Sequence, residues 1–343
     1  MCIRDRSIHP DAIVIAGDIY DKSVPSAEAV SLFDEFLTAL AKIEPAIPVL
    51  IISGNHDSAQ RLDYASRLLG SHQIYIAGQA PEEEADRLKK ITLTDEFGEA
   101  QVYLLPFVRP SIVRRALGQE EIESYQDAVF AAVNHMDIDT KKRNILVAHQ
   151  FVTGAGRCDS EDIVVGGVDN IDASIFEAFD YAALGHIHKP MKVGSEYYCY
   201  CGTPLACSVS EAGQKKGIVM VTMKEKGNIS TEVLPLPPLR QVRVIKGEFQ
   251  EVLSQACEDY VTVVLTDKED LDVIDLKDRL RNAFPYLLEI RRERERRAEY
   301  KRQSRKIEEL DPFELCCSFL GEDMDEEERE MLLDVISSVQ GVK

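Results

Sequence analysis

Seven side chains of this 343-residue sequence have the types and the spacing for metal-assisted chemistry, five of them as ligands of a divalent metal and two, His56 and Asp57, as catalytic groups beside it. Asp18 follows Gly17, the run Asn55-His56-Asp57 follows Gly54, His149 follows Ala148, and His186 and His188 follow Gly185 and Ile187. A carboxylate such as Asp18 can lend oxygens to two cations and the Asn55 amide offers a neutral oxygen. The imidazoles of His149, His186 and His188 are nitrogen ligands suited to a divalent transition metal. His186 and His188 stand two apart, so on an extended segment they project to one side, where two neighbouring metals can each take one. Glycine ahead of Asp18, Asn55 and His186 suits a backbone that turns sharply beside an ion. A lone Gly-Asp or His-x-His is weak evidence. Four such features in order, using four of the seven histidines, are a convergent signal.

Each feature ends an apolar run. Ala12–Ala16, Val49–Ile52, Ile145–Ala148 and Tyr181–Leu184 have the texture of buried parallel strands, and open α/β sheets place their chemistry at the carboxyl ends of such strands. Between them, Ser26 caps a helix to Lys42 whose apolar face is Val30, Phe33, Leu37, Leu40 and Ala41. A helix is expected from Ser58 to Leu69, closed by Gly70, and then a strand at Ile74–Ala77. Pro81–Lys90 has the charge of a surface loop. Ile91–Thr94 and Val102–Leu105 form a hairpin, helices follow near Ser111–Leu117 and Tyr125–Met136, and the texture from Tyr197 is of short antiparallel strands at Tyr197–Cys201, Leu205–Val209, Gly217–Met223 and Ser230–Leu234. The βα units followed by such strands imply an α/β class and a two-layered sandwich. Pro235-Leu-Pro-Pro238 marks a boundary. Beyond it, residues 239–292 read as a β-α-β-α-β unit whose core is marginal alone.

Composition sets further limits. Asp and Glu outnumber Lys and Arg by 60 to 40, a net charge of −20, so the chain does not grip nucleic acid by bulk charge and must hold any phosphate through metal, a local feature or a partner. Residues 291–306 are the exception, with nine basic and three acidic side chains, and fit either a DNA contact or a solvated helix face. The eight cysteines are scattered without a Cys-x-x-Cys pair, which argues against both a disulfide frame and a zinc knuckle. The absence of a long apolar run leads to the expectation of a cytoplasmic protein.

The wording Gly17-Asp18-Ile-Tyr-Asp21, Gly54-Asn55-His56-Asp57, Ala148-His149-Gln150 and Gly185-His186-Ile-His188 resembles the successive motifs of the calcineurin-like metallophosphoesterases. With Tyr200-Cys-Gly-Thr-Pro-Leu and Ser210-Glu211-Ala212 it is similar, within that superfamily, to the SbcD-type nuclease subunits of SbcCD exonucleases. The resemblance implies a two-layered β-sandwich flanked by helices in residues 1–236, a small α+β capping domain over 239–292, and a basic linker with a helical tail over 293–343. It further implies two metal ions, manganese by preference, and hydrolysis of DNA phosphodiesters at ends and hairpins. The implied partner is an SbcC-type ABC/SMC-like ATPase, with a nuclease homodimer inside a heterotetramer near the nucleoid and no membrane.

Carried over by motif, Asp18 would bridge the metals; Asn55, His149 and His186 would complete one site; and His188 would belong to the other. His56 would face the scissile phosphate. Asp57 would either orient His56 or, with Asp21, bond the loop to itself. One departure stands out: the family's first strand ends in Asp-x-His, and no Asp-x-His occurs in these 343 residues. Two explanations stay open, a start that lacks roughly 30 to 50 residues of strand, helix and loop or a variant with one degraded metal site. In the tail, Phe313, Leu315, Cys316, Phe319, Leu320, Met331, Leu332, Val335 and Ile336 make apolar stripes on short helices that need a docking surface, either the ATPase or the chain's own domains.

Overall fold

Val49 to Ile52 is buried at every position, and the sheet order explains why. The computed structural model describes residues 8–80, 87–153, 169–267 and 273–293. Strand β1 (Ile13–Ala16) leads through helix α1 (Ala27–Ala41) to β2 (Val49–Ile52), then through two short helices, α2 (Ala59–Leu62) and α3 (Ser66–Gly70), to β3 (Ile74–Ala77). The three strands pair in parallel in the order β1-β2-β3, so β2 is central. Its side chains alternate between two cores. Val49 and Ile51 pack with Leu37 and Leu40 of α1, while Leu50 and Ile52 meet Val102, Leu104 and Val147 of a second sheet.

That second sheet begins with the hairpin β4 (Lys89–Asp95) and β5 (Gly98–Leu105). It continues after helices α4 (Pro110–Leu117) and α5 (Tyr125–Asn134) with β6 (Arg143–His149). A short pair, β7 (Phe151–Val152) and β8 (Asn170–Ile171), precedes β9 (Tyr181–Gly185), β10 (Met191–Val193) and β11 (Ser195–Tyr200). The order is β10-β11-β9-β6-β5-β4. Alternation again divides β5, with Val102 and Leu104 facing the first sheet and Tyr103 and Leu105 facing α4 and α5. The result is two sheets face to face with helices outside both, the sandwich expected from the βα units.

The remaining chain forms a two-stranded ribbon, β12 (Gly217–Met223) with β13 (Ile229–Pro235). A parallel three-stranded sheet follows, made of β14 (Val242–Gly247), β15 (Tyr260–Leu265) and β16 (Tyr286–Arg292). With helices α6 (Phe249–Leu253) and α7 (Val273–Ala283) it encloses its own core of Ile245, Phe249, Val252, Val263, Leu280 and Phe284. The expected tail helices, the basic run beyond Glu293 and residues 81–86 of the expected loop lie outside the described residues.

Several expectations are corrected. The single helix over Ser58–Leu69 is two, because Ala65 takes a left-handed conformation at φ 59° and the first turn presses on the backbone of Gly78. Leu205–Val209 is no strand: the segment loops and ends in a 3-10 turn at Val209–Glu211, drawn around the Glu211 carboxylate. The second half is not all antiparallel. Gly194 reverses the chain at φ 70°, so β11 returns between β10 and β9 and runs parallel to β9. On α1 only the Phe33-Leu37-Leu40 stripe is covered, since three four-residue strands offer a narrow face; Val30 and Ala41 stay exposed.

At the end of the sandwich opposite the site, the buried Arg143 guanidinium bonds both Asp95 oxygens, at 2.6 and 2.8 Å, and the carbonyls of Gly98, Met223 and Lys224. One side chain thereby ties the β4–β5 turn to the β12–β13 ribbon. Arg143→Ala should cost about 1 to 3 kcal/mol in urea unfolding, since it takes the buried guanidinium from three carbonyls and from a carboxylate that water can partly re-solvate. The bond to Arg143 holds the Asp95 carboxyl below the usual range. Its stabilisation is therefore complete above about pH 4 and fades as the pH falls through the depressed folded value, so the difference between wild type and variant should shrink there.

Candidate metal centre

The first sheet delivers Asp18 and Asn55, and the second delivers His149 and His186, to one place. His149 Nε2 lies 3.0 Å from Asp18 Oδ2 and 3.0 Å from Asn55 Oδ1, and His186 Nδ1 is 3.0 Å from the same Asn55 oxygen. His149 and His186 meet edge to face and are walled by Phe107 and Phe151. Two of these residues sit in backbone conformations rare for side-chain-bearing residues, Asp18 at φ 50° and His186 at φ 95°; such strain persists where the surroundings impose it. The approach of the sheets is as close as glycine permits. A Cβ on Gly185 would run into the Ala16 carbonyl, and one on Gly54 into the Asp18 carboxylate.

Proton placement tests whether this group suits a cation. His149 Nδ1 is 2.7 Å from the Ala16 carbonyl, which can only accept, so Nδ1 carries the hydrogen. When the ring is neutral, its Nε2 lone pair faces the Asp18 carboxylate and the Asn55 carbonyl, two further electron-rich atoms. Such convergence is unfavourable unless a positive charge sits among the donors, and the three ionisable ones are close enough to share a single ion. The donor set therefore fits a divalent cation. Without such an ion a proton on Nε2 meets the same need: burial pushes the Asp18 carboxyl up, but the bond and charge of a protonated His149, with the His56 amide at 3.1 Å, outweigh it and hold the group below the ordinary carboxylate range.

His188 stands in a second group beside it, with Glu211 and Cys207. Its Nδ1 is 2.9 Å from Oε1 of the fully buried Glu211, whose Oε2 is 2.6 Å from Lys216 Nζ. Burial, then the Glu211 charge, push the Cys207 thiol up and keep it protonated, with Asp21 of the Asp18 loop near enough to add to the effect. Sequence reasoning gave Glu211 no role; its only signal was membership of the Ser210-Glu211-Ala212 wording.

His56 is half-buried, and its Nδ1 is 3.1 Å from the Asp21 carbonyl. Asp57 accepts from the amides of Ile19 at 3.1 Å and Gly54 at 2.9 Å on one oxygen and Tyr20 at 3.0 Å on the other. These are the bonds that the loop-holding alternative requires. Burial drives the Asp57 carboxyl above its usual value despite those amides, with Asp18 adding repulsion.

Residues 3–190 match the calcineurin-like phosphoesterase family. The chain belongs to that family. Residues 238–323 match the SbcD C-terminal domain family, described as the type 5 capsule protein repressor C-terminal domain. The chain is 36% identical over 249 residues to the D subunit of nuclease SbcCD from Staphylococcus epidermidis, covering 72% of this chain and 64% of the relative. It is 35% identical over 252 residues to the same-named protein of Staphylococcus saprophyticus, covering 73% and 64%. The chain thus spans a little under two thirds of the curated relatives it matches. The crystal structure of phosphopantetheinyl hydrolase from Mycobacterium tuberculosis aligns at TM-score 0.30 and 11% identity over 55% of this chain and 78% of that one.

Asp57→Asn separates the two Asp57 readings. An amide presents an N–H where backbone donors already point, so the loop-holding role predicts a loss of about 1 to 3 kcal/mol in chemical unfolding. Unchanged stability with an altered pH profile of hydrolysis would instead assign Asp57 to His56.

Proposed function

We propose that this chain is a metal-dependent DNA phosphodiesterase, the nuclease subunit of an SbcCD-type complex. The observation that carries the reading is the convergence of Asp18, Asn55, His149 and His186 from two sheets on one cation-sized gap, in a chain of the phosphoesterase family whose relatives are named nuclease subunits. Asp18, Asn55, His149 and His186 would hold one metal, and Asp18 with His188 would contribute to a second. Manganese suits the mixed nitrogen and oxygen donors. When bound, such metals activate water as a nucleophile and neutralise charge on the phosphate oxygens.

The protein's own groups do the rest. His56 donates Nδ1–H to the Asp21 carbonyl, and as the imidazolium it would donate Nε2–H to a phosphate oxygen or protonate the leaving oxygen. Asp57 keeps the Asp18 and Asn55 loops in register through its three amide bonds. With a net charge of −20, affinity for DNA has to come from the metals, the basic run at 291–306 and a partner ATPase bound by the apolar tail stripes. A homodimer within a heterotetramer, in the cytoplasm at the nucleoid, completes the reading. No helix among the described residues is long and apolar enough to cross a membrane. A second reading is a catalytically impaired or scaffold subunit, in which the donors beside His188 do not complete a metal site.

Manganese titration followed by calorimetry, and cleavage of end-labelled duplex and hairpin DNA at millimolar manganese, test the proposal. Asp18→Ala should abolish binding at both positions, and two retained equivalents would refute the shared carboxylate. His56→Ala should keep metal binding while lowering kcat by about 10²- to 10⁴-fold; lost manganese would move His56 into the coordination shell. Metal binding without cleavage of DNA, even with the ATPase present, would favour the scaffold reading.

A further inference from the structure

We infer that Glu211 and Lys216 are a buried positioning pair that keeps the ring proton of His188 on Nδ1 and so presents the Nε2 lone pair to the metal centre. The inference rests on the reading of His188 as a ligand. Glu211 is fully buried and Lys216 nearly so, with side chains 0% and 5% exposed. A charge in such a place is costly unless paired and hydrogen-bonded. The carboxylate is amply served. Oε2 receives Lys216 Nζ at 2.6 Å, the Cys207 amide at 3.2 Å and Thr203 Oγ1 at 3.4 Å, and Oε1 receives Ser208 Oγ at 3.4 Å and His188 Nδ1 at 2.9 Å.

A carboxylate held among so many donors stays ionised and only accepts. The His188 hydrogen must then lie on Nδ1, and the lone pair on Nε2. Lys216 closes the arrangement, because its remaining bonds go to the His188 carbonyl at 2.8 Å and to Thr203 Oγ1 at 2.9 Å. Backbone and ring of His188 are thus fixed by the same ion pair. A mere staple between the Thr203–Glu211 loop and the end of β9 would not need ionic groups, since apolar replacements of buried pairs are often as stable. Direct ligation of a cation by Glu211 and Cys207 is the competing use of these side chains. It is disfavoured by the commitment of Oε2 to Lys216. Carboxylate–imidazole pairs of this kind orient a ligand and raise its basicity, and their loss weakens metal affinity by about 10- to 100-fold.

The test is a two-bond ¹H–¹⁵N correlation spectrum of the metal-free, histidine-labelled full chain, with the His188 signals assigned from His188→Gln. The expected result is a single Nδ1–H tautomer at His188; a proton on Nε2, or a mixture, overturns the inference without recourse to any variant. In Glu211→Gln the tautomers should mix, and the weaker manganese equivalent should bind about 10- to 100-fold less tightly, while the tighter one changes by no more than about twofold. The double variant Glu211→Gln, Lys216→Met removes the uncompensated lysine and should show the same loss in a folded chain. An unchanged tautomer and affinity in both variants would reduce the pair to a staple, and loss of the weaker equivalent in Cys207→Ser would make the cluster itself the cation site. If His188→Gln leaves both manganese equivalents intact, the ligand role of His188 fails, whereas the tautomer still decides the Glu211 arrangement.

Discussion

The 2.7 Å hydrogen bond from His149 Nδ1 to the Ala16 carbonyl spans the two sheets at the point where their chemistry meets. It joins the last residue of β6 to the last residue of β1, and it dictates which nitrogen of His149 keeps a lone pair. Everything around it accommodates the short approach. Gly185 and Gly54 give up their side chains to let backbone and carboxylate pass, and Gly17 does so beside the His149 ring itself. Asp18 bends into the left-handed region to bring its oxygens beneath the same imidazole. The apolar layer of Leu50, Ile52, Leu104 and Val147 supplies the force that holds the sheets at this spacing.

How much of this was legible in the sequence depended on whether the signal was local. Buried runs such as Val49–Ile52 and Ile145–Ala148 need no context, because an inner parallel strand covered on both faces has to be apolar at every position. The donor-bearing turns were legible because four of them in order each end such a run; any one alone would pass for an ordinary turn. Ala65 shows the opposite case. Nothing in Asp63-Tyr-Ala-Ser66 marks a break, and the helix divides there only because its first turn meets Gly78, a contact set by the end of β3.

Glu211 failed to stand out for a related reason. A glutamate five residues ahead of a lysine on an acidic chain looks like surface, and its burial follows from the loop that wraps it. The strand expected at Leu205–Val209 would have alternated faces and carried the carboxylate away. Instead Thr203, Cys207 and Ser208 turn their donors inward on one anion. Desolvating that anion is what forces the backbone off a strand path, since each donor lost would leave charge unmet in a closed space.

The two histidine sites are therefore built differently, and the difference has a direction. His149 is held by a neutral backbone carbonyl, which orients the ring but donates little electron density. His188 is held by a full carboxylate whose own charge Lys216 only partly offsets. The better-equipped group, with Asp18, Asn55 and two imidazoles, can rely on the number of its donors. For His188, in the proposed ligand role, a more basic imidazole is one means of strengthening the bond it would make. An acidic chain gains from this arrangement as well, because the Glu211 charge that enriches His188 is buried with a counter-ion and adds little to the negative potential at the surface.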